Sequence, residues 1–164
     1  MPGEAAQART QCGDQNRFLR SPKELCERVN RVMYSNIDDR KIVTFFYGLL
    51  DVEGRRFVYT NAGHNQPILV REDGRLERLE TGGTVLGILE DGGYHQGEVT
   101  LYPNDRIVLF TDGVTEVRNE AGEEYGEERL MALLKSCRAL DAVSINKRIM
   151  EEIIDFGQGE VQDD

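Results

Sequence analysis

Leu109-Phe110-Thr111-Asp112-Gly113-Val114-Thr115-Glu116 is the stretch on which the reading of this chain turns. Ile107 and Val108 precede it, so a short apolar strand delivers a carboxylate to a glycine turn at its end. A buried strand is stiff, and Gly113 lets the backbone turn sharply without a clashing side chain. A carboxylate held in that way suits a hard cation such as Mg2+ or Mn2+. On spacing alone, an Asp-Gly after a strand is read more simply as a turn. The rest of the chain has to decide between the two.

Upstream the texture is that of strands. Ile42-Val43-Thr44-Phe45-Phe46-Tyr47-Gly48-Leu49-Leu50 is β-branched and aromatic, residues 51–55 turn around Gly54, and residues 56–60 return as its hairpin partner. Residues 66–71 and 76–80 read as a second hairpin around Asp73-Gly74. Residues 94–102 and 106–110 read as a third, turning at Pro103-Asn104-Asp105. Six strands in close antiparallel succession point to a sheet or sandwich and away from a parallel βαβ fold.

Helices flank the strands. Ser21 caps, Pro22 takes the first helical position and Glu24 completes a capping box. Leu25, Val29, Val32 and Met33 then supply one buried face to about Ser35. Near the C-terminus, residues 127–137 carry Leu130, Leu133 and Leu134 on one side. A longer helix from about Asp141 places Ala142, Ile145, Ile149 and Ile153 on one stripe. The fold class is α+β. Residues 1–20 lack any sustained apolar period and read as a flexible lead-in to a domain covering 21–164.

Composition narrows the function classes. A chain of 164 residues builds one domain, and no apolar run approaches the roughly 20 residues needed to cross a bilayer. Thirty acidic against twenty basic residues give a net charge of -10, which argues against a nucleic-acid partner. Cys12, Cys26 and Cys137 stand far apart with no zinc-like spacing. With no apolar signal core in residues 1–20, the expected location is cytoplasmic, with reduced thiols and no membrane partner.

Three further segments bear on chemistry. In Asn61-Ala62-Gly63-His64-Asn65, His64 is either a general base or ligand, or a residue that hydrogen-bonds a turn shaped by Gly63 and Asn65. No second ligand lies at a recognisable spacing, which favours the turn. Thr81-Gly82-Gly83-Thr84 has the glycines of a phosphate cradle but neither its lysine nor a following helix, and reads as a flexible loop. Gln162-Asp163-Asp164 is by composition a solvated acidic tail.

Taken in order, the pieces resemble one family. Phe45-Phe46-Tyr47-Gly48, Tyr59-Thr60-Asn61-Ala62-Gly63-His64-Asn65-Gln66-Pro67, Leu86-Gly87, the Leu109–Glu116 stretch and Gln162-Asp163-Asp164 are similar to the SpoIIE/RsbU branch of the metal-dependent PPM serine/threonine protein phosphatases. The resemblance implies an α-β-β-α sandwich of antiparallel sheets flanked by helices, with two Mn2+ or Mg2+ ions at one end. The nucleophile it implies is a metal-activated water, with no catalytic side chain. It assigns Asp112 and Asp163 as metal ligands, Gly113 as the point of close approach and Asp164 as support behind the site. It also puts Asn61, Gly63 and His64 on a loop near the site. The implied substrate is a phosphorylated regulatory protein such as an anti-sigma-factor antagonist, with an upstream sensor domain or a complementing chain as further partners.

The departures carry weight of their own. The family's GD-type and DxxGHG motifs, which supply the ligand bridging both ions, do not appear; Cys12-Gly13-Asp14 lacks their strand context. The chain also ends before the apolar strand that follows the Asp-Asp pair in the family, so it reads as clipped at both ends. Two ions about 4 Å apart repel and need several carboxylates around them. Asp112 and Asp163 are expected to hold one ion weakly at most, leaving this chain weakly active or inactive. The alternative is a non-catalytic PPM-like binding or regulatory module.

Overall fold

The computed structural model describes residues 21–36 and 42–158. The expected lead-in over 1–20 and the pair Asp163-Asp164 lie outside the described residues. The elements run α1 (Pro22–Asn36), β1 (Phe45–Asp51), β2 (Arg56–Ala62), β3 (Ile68–Val70), β4 (Leu76–Arg78), β5 (Gly82–Gly83), β6 (Gly97–Thr100), β7 (Arg106–Val108), α2 (Asp112–Thr115), α3 (Gly126–Ser136) and α4 (Ala142–Phe156).

Period-two alternation along the strands builds a layered sandwich. In the first sheet β2 is central: β1 pairs with it antiparallel from Phe45↔Ala62 to Asp51↔Arg56. On its other edge β6 pairs antiparallel and β5 parallel, end on end. The second sheet has the order β4-β3-β7, antiparallel throughout. Phe46, Phe57, Tyr59 and Val99 of the first sheet meet Leu69, Leu79 and Ile107 of the second to form the core between them. Neighbours in sequence point the other way. Phe45 and Ala62 pack with Cys26, Val29 and Met33 of α1, while Ile68, Val70 and Val108 pack with Leu130, Leu134, Ile145, Ile149 and Ile153 of α3 and α4. The order helix, sheet, sheet, helix is the α-β-β-α sandwich of antiparallel sheets, varied only by the two residues of β5. Close packing of the aromatics needs small neighbours: a Cβ on Gly97 would stand 2.6 Å from the Tyr59 ring.

Four sequence expectations are corrected. The third hairpin does not exist as a pair, because β6 bonds to β2 and β7 to β3, in different sheets. The turn between them is real, with Asp105 N–H on Tyr102 O at 3.0 Å and Asn104 at φ +66, but it hands the chain from one sheet to the other. Gly82-Gly83 is a parallel strand against Asn61-Ala62 and not a free loop. Seven strands are therefore described in place of six. The buried face of α1 is rotated from the expected one: Cys26 and Asn30 are buried while Val32 is 64% exposed. Lastly, β7 stops at Val108, and Asp112-Gly113 begins the one-turn helix α2 instead of a glycine turn. Gly113 has no left-handed φ, so its backbone conformation does not require glycine.

Candidate active site

The β3–β7 register places Asp112, Gly113 and the Asn61–His64 loop at one end of the sandwich. Ile68 lies opposite Val108, so the Asn61–Pro67 connection entering β3 and the Leu109–Asp112 segment leaving β7 emerge side by side. Phe45, at the start of β1, is paired with Ala62 and brings Thr44 to the same end.

Asn61 organises the first connection. Its side chain is 4% exposed, and its carboxamide closes a ring on His64: Oδ1 accepts from the His64 N–H at 2.7 Å and Nδ2 donates to the His64 carbonyl at 2.8 Å. Gly63 sits at φ +72 against Val85, a conformation and a space that no larger residue fits. The His64 ring then lies with Nδ1 3.1 Å from Thr44 Oγ1. These bonds account for the loop as a built turn.

Asp112 is presented differently. Phe110, 6% exposed, is anchored among the α3 and α4 side chains, and Thr115 is buried at 9%. Between these anchors Thr111, Asp112 and Gly113 are exposed. Asp112 Oδ1 accepts from the Gly113 N–H at 3.0 Å, and no hydrogen bond is made by Oδ2 among the described residues. Among the described residues a Cβ on Gly113 would meet only Thr111 Oγ1, at 3.5 Å, so the space beside Gly113 is open.

A residue the sequence reading passed over supports this end from below. Asn30, 1% exposed on α1, accepts from the Gly87 N–H at 2.8 Å and the Tyr94 hydroxyl at 3.2 Å, and donates to the carbonyls of Leu89 and Glu90. It pins the Leu86-Gly87 segment to α1. The signal was present: Asn30 falls on the helical stripe of Cys26 and Met33, where a polar residue must find partners. Burial pushes the Tyr94 hydroxyl up to about 12 and the Cys26 thiol up to about 11, the latter with a contribution from Glu27. Both stay neutral, as scaffolding.

Among the described residues no three His, Cys, Asp or Glu side chains come together to hold a metal ion. Asp112 is one carboxylate, and a hard divalent cation takes about six oxygen ligands. The described residues alone therefore do not fit a two-ion centre.

The family model described as Stage II sporulation protein E (SpoIIE) matches residues 4–164. The phosphoserine phosphatase RsbU of Bacillus subtilis is 32% identical over 144 residues, covering 87% of this chain and 43% of RsbU. The chain spans less than half the length of the curated relatives it matches. Among solved structures, the SiaA-PP2C domain of Pseudomonas aeruginosa superposes with a TM-score of 0.75 at 18% identity, over 88% of this chain and 58% of that one. The phosphatase domain of SpoIIE from Bacillus subtilis, presoaked with Mn, superposes at 0.64 and 15% identity, over 99% of this chain and 73% of that one. At such identities the two superpositions speak for the fold.

Proposed function

Because the chain belongs to the SpoIIE family of PPM-type phosphatases, we propose that it is the C-terminal portion of a metal-dependent serine/threonine protein phosphatase domain. Its substrate is a phosphorylated regulatory protein, of the kind represented by an anti-sigma-factor antagonist, in the cytoplasm. RsbU and RsbP of Bacillus subtilis, both named as phosphoserine phosphatases, support the reaction class.

The observation that carries the reading is the open presentation of Asp112 between two buried anchors, on the same end as the Asn61–His64 loop. Asp112 and Asp163 are the ligands this chain brings to Mn2+ or Mg2+, with Asp164 behind them. The metal, when bound, supplies an activated water and charge neutralisation for the phosphoryl group. This chain's own residues do the positioning. The Phe110 and Thr115 anchors hold Asp112 outward, Gly113 keeps its flank clear, and Asn61 sets the loop that borders it.

With one carboxylate described and the Asp163 pair as the other contribution, the chain alone is weakly active or inactive. Calorimetric titration of the 164-residue chain with Mn2+, beside hydrolysis of a phosphoserine peptide, tests this. The expected result is one weak site, lost in Asp112→Asn, with turnover near background. Robust Mn2+-dependent turnover abolished by Asp112→Asn would overturn the expected inactivity. No Mn2+ binding at all favours the second reading, a non-catalytic PPM-like module, for which the lack of a three-acid cluster among the described residues speaks.

A further inference from the structure

Three aspartates in this chain are followed directly by glycine: Asp73, Asp91 and Asp112. Such a pair carries a latent reaction, because glycine leaves the backbone nitrogen unshielded and mobile beside the carboxyl carbon. That nitrogen can attack Cγ, close a five-membered succinimide ring and release water. By sequence the three pairs are equivalent. Their surroundings in the fold are not.

Asp73 is held from several directions. Its Oδ1 accepts from the Arg75 N–H at 2.9 Å and its Oδ2 from Arg75 Nε at 2.8 Å. These bonds keep its carboxyl below the ordinary value of 3.8, away from the protonated form that can shed a hydroxyl. The Gly74 nitrogen is engaged too, donating to the Arg71 carbonyl at 2.9 Å. Asp91 turns its carboxylate past its neighbour and accepts from the Gly93 N–H at 3.0 Å. Gly92 is buried, its carbonyl accepts from the Thr84 N–H at 3.0 Å, and a Cβ there would collide with the Tyr94 ring. Close packing of that kind resists the backbone rotation that ring closure needs.

Asp112 and Gly113 have neither restraint. Both are exposed. The Gly113 N–H is directed at Asp112 Oδ1 itself, at 3.0 Å, so the attacking nitrogen and the carboxyl group already face each other. Ring closure requires α2 to open, and α2 is four residues long, with glycine second and no side-chain cap bond from Thr111. A single turn of that kind is a marginal helix. Two backbone bonds close it, from the Val114 N–H to the Thr111 carbonyl at 3.0 Å and from the Glu116 N–H to the Asp112 carbonyl at 2.8 Å. The buried Phe110 and Thr115 flank the turn, so the opening is local and leaves the core packed.

We propose that Asp112-Gly113 is a site of spontaneous covalent modification, at which Asp112 isomerises to isoaspartate while Asp73 and Asp91 are spared. The Gly113 nitrogen bonds to Cγ of the protonated Asp112 carboxyl, and the amide proton and the carboxyl hydroxyl leave as water. Water then opens the succinimide. Cleavage between nitrogen and Cγ restores aspartate; cleavage between nitrogen and the original main-chain carbonyl carbon gives isoaspartate. One water leaves and one returns, so no other reactant is needed. The product runs the main chain through Cγ, one carbon longer, and keeps the negative charge on a carboxylate displaced from the place of the original. The inference stands independently of the phosphatase reading.

Ageing the full 164-residue chain at neutral pH, folded and in guanidinium chloride, tests the proposal, with isoaspartate counted in each peptide by mass spectrometry. Each pair's rate in the unfolded chain is its own reference. In the folded chain Asp73 and Asp91 should fall behind their references by about tenfold or more, while Asp112 stays within about threefold of its own. Gly113→Ala should slow Asp112 by about fivefold or more, because alanine shields the nitrogen and favours the helix. Its Cβ meets only Thr111 Oγ1 among the described residues, so the turn accepts it. Folded-state protection of Asp112 equal to that of Asp73 overturns the proposal. So does an Asp91 that ages faster than Asp112 in the folded chain, or an Asp112 rate indifferent to Gly113→Ala.

Discussion

The two ends of the sandwich are built on opposite plans. At the end where β3 finishes and β7 begins, a buried ion network closes on itself within the chain. Arg71 donates to both Glu77 carboxylate oxygens at 2.8 and 2.9 Å, to Asp105 at 2.7 Å and to the Thr100 carbonyl at 2.8 Å. Asp105, its side chain 2% exposed, also accepts from the backbone N–H groups of Tyr102 and Glu72. One guanidinium thus ties β6 of the first sheet to β3, β4 and the crossover of the second. At the other end Asp112 is exposed and uses one oxygen on its own neighbour. A closed network holds the fold, and an incompletely used carboxylate is available to something outside it.

The sharpest way to break this contrast is Arg71→Met. It leaves Asp105 buried without its counter-charge at the point where the chain changes sheets, and removal of one partner from such a pair costs about 3–5 kcal/mol. Urea unfolding should show the loss as a lower midpoint with an unchanged slope. Asn30→Ala comes next. It strands the Gly87 N–H and the buried Tyr94 hydroxyl at the Asp112 end, an expected loss of about 2 kcal/mol by the same measurement. The smaller figure reflects a neutral network in place of an ionic one.

Acid gives a finer comparison. Hydrogen bonds from Arg71 hold the Glu77 carboxyl below its ordinary value of 4.5, against some opposing burial. A carboxyl depressed in the folded state stabilises above its unfolded value, and that contribution is lost as pH falls through the folded one. Stability should therefore decline as pH is lowered below about 4.5, and Glu77→Gln should flatten that limb. Glu77 is 38% exposed, so solvent screens the effect and keeps it below that of the Arg71 substitution.

Local pattern carried most of the architecture. Helical spacing located α3 and α4 within a residue or so, and alternation located β1 to β4. Pairing was another matter. Pro103-Asn104-Asp105 signals a reversal whether the flanking strands pair with each other or with β2 and β3, because the partners lie about 40 residues away and leave no local trace. Asn30 shifted the α1 face because its partners sit near residue 90, equally out of reach of a window reading. At the candidate site, ordered motifs pointed to Asp112 and the Asn61 loop, and the register puts both at one end. Helix α2 was not legible, since Asp-Gly after an apolar run serves a turn and a helix start equally well.

Asp112→Asn has the smallest expected effect on the fold and makes the cleanest use of the contrast. An asparagine keeps an oxygen for the Gly113 N–H, and its amide is solvated where the carboxylate was. The stability change should stay within about 0.5 kcal/mol, as for surface substitutions remote from any network. If Asp112 belonged to a satisfied structural turn, like Asp105 at the other end, the same substitution would lower the urea midpoint, because charge-assisted bonds would become weaker neutral ones. An unchanged midpoint together with lost Mn2+ affinity assigns the carboxylate to a ligand; a lowered midpoint assigns it to the turn. The two ends would then differ only in exposure, and the phosphatase reading of this residue would fall.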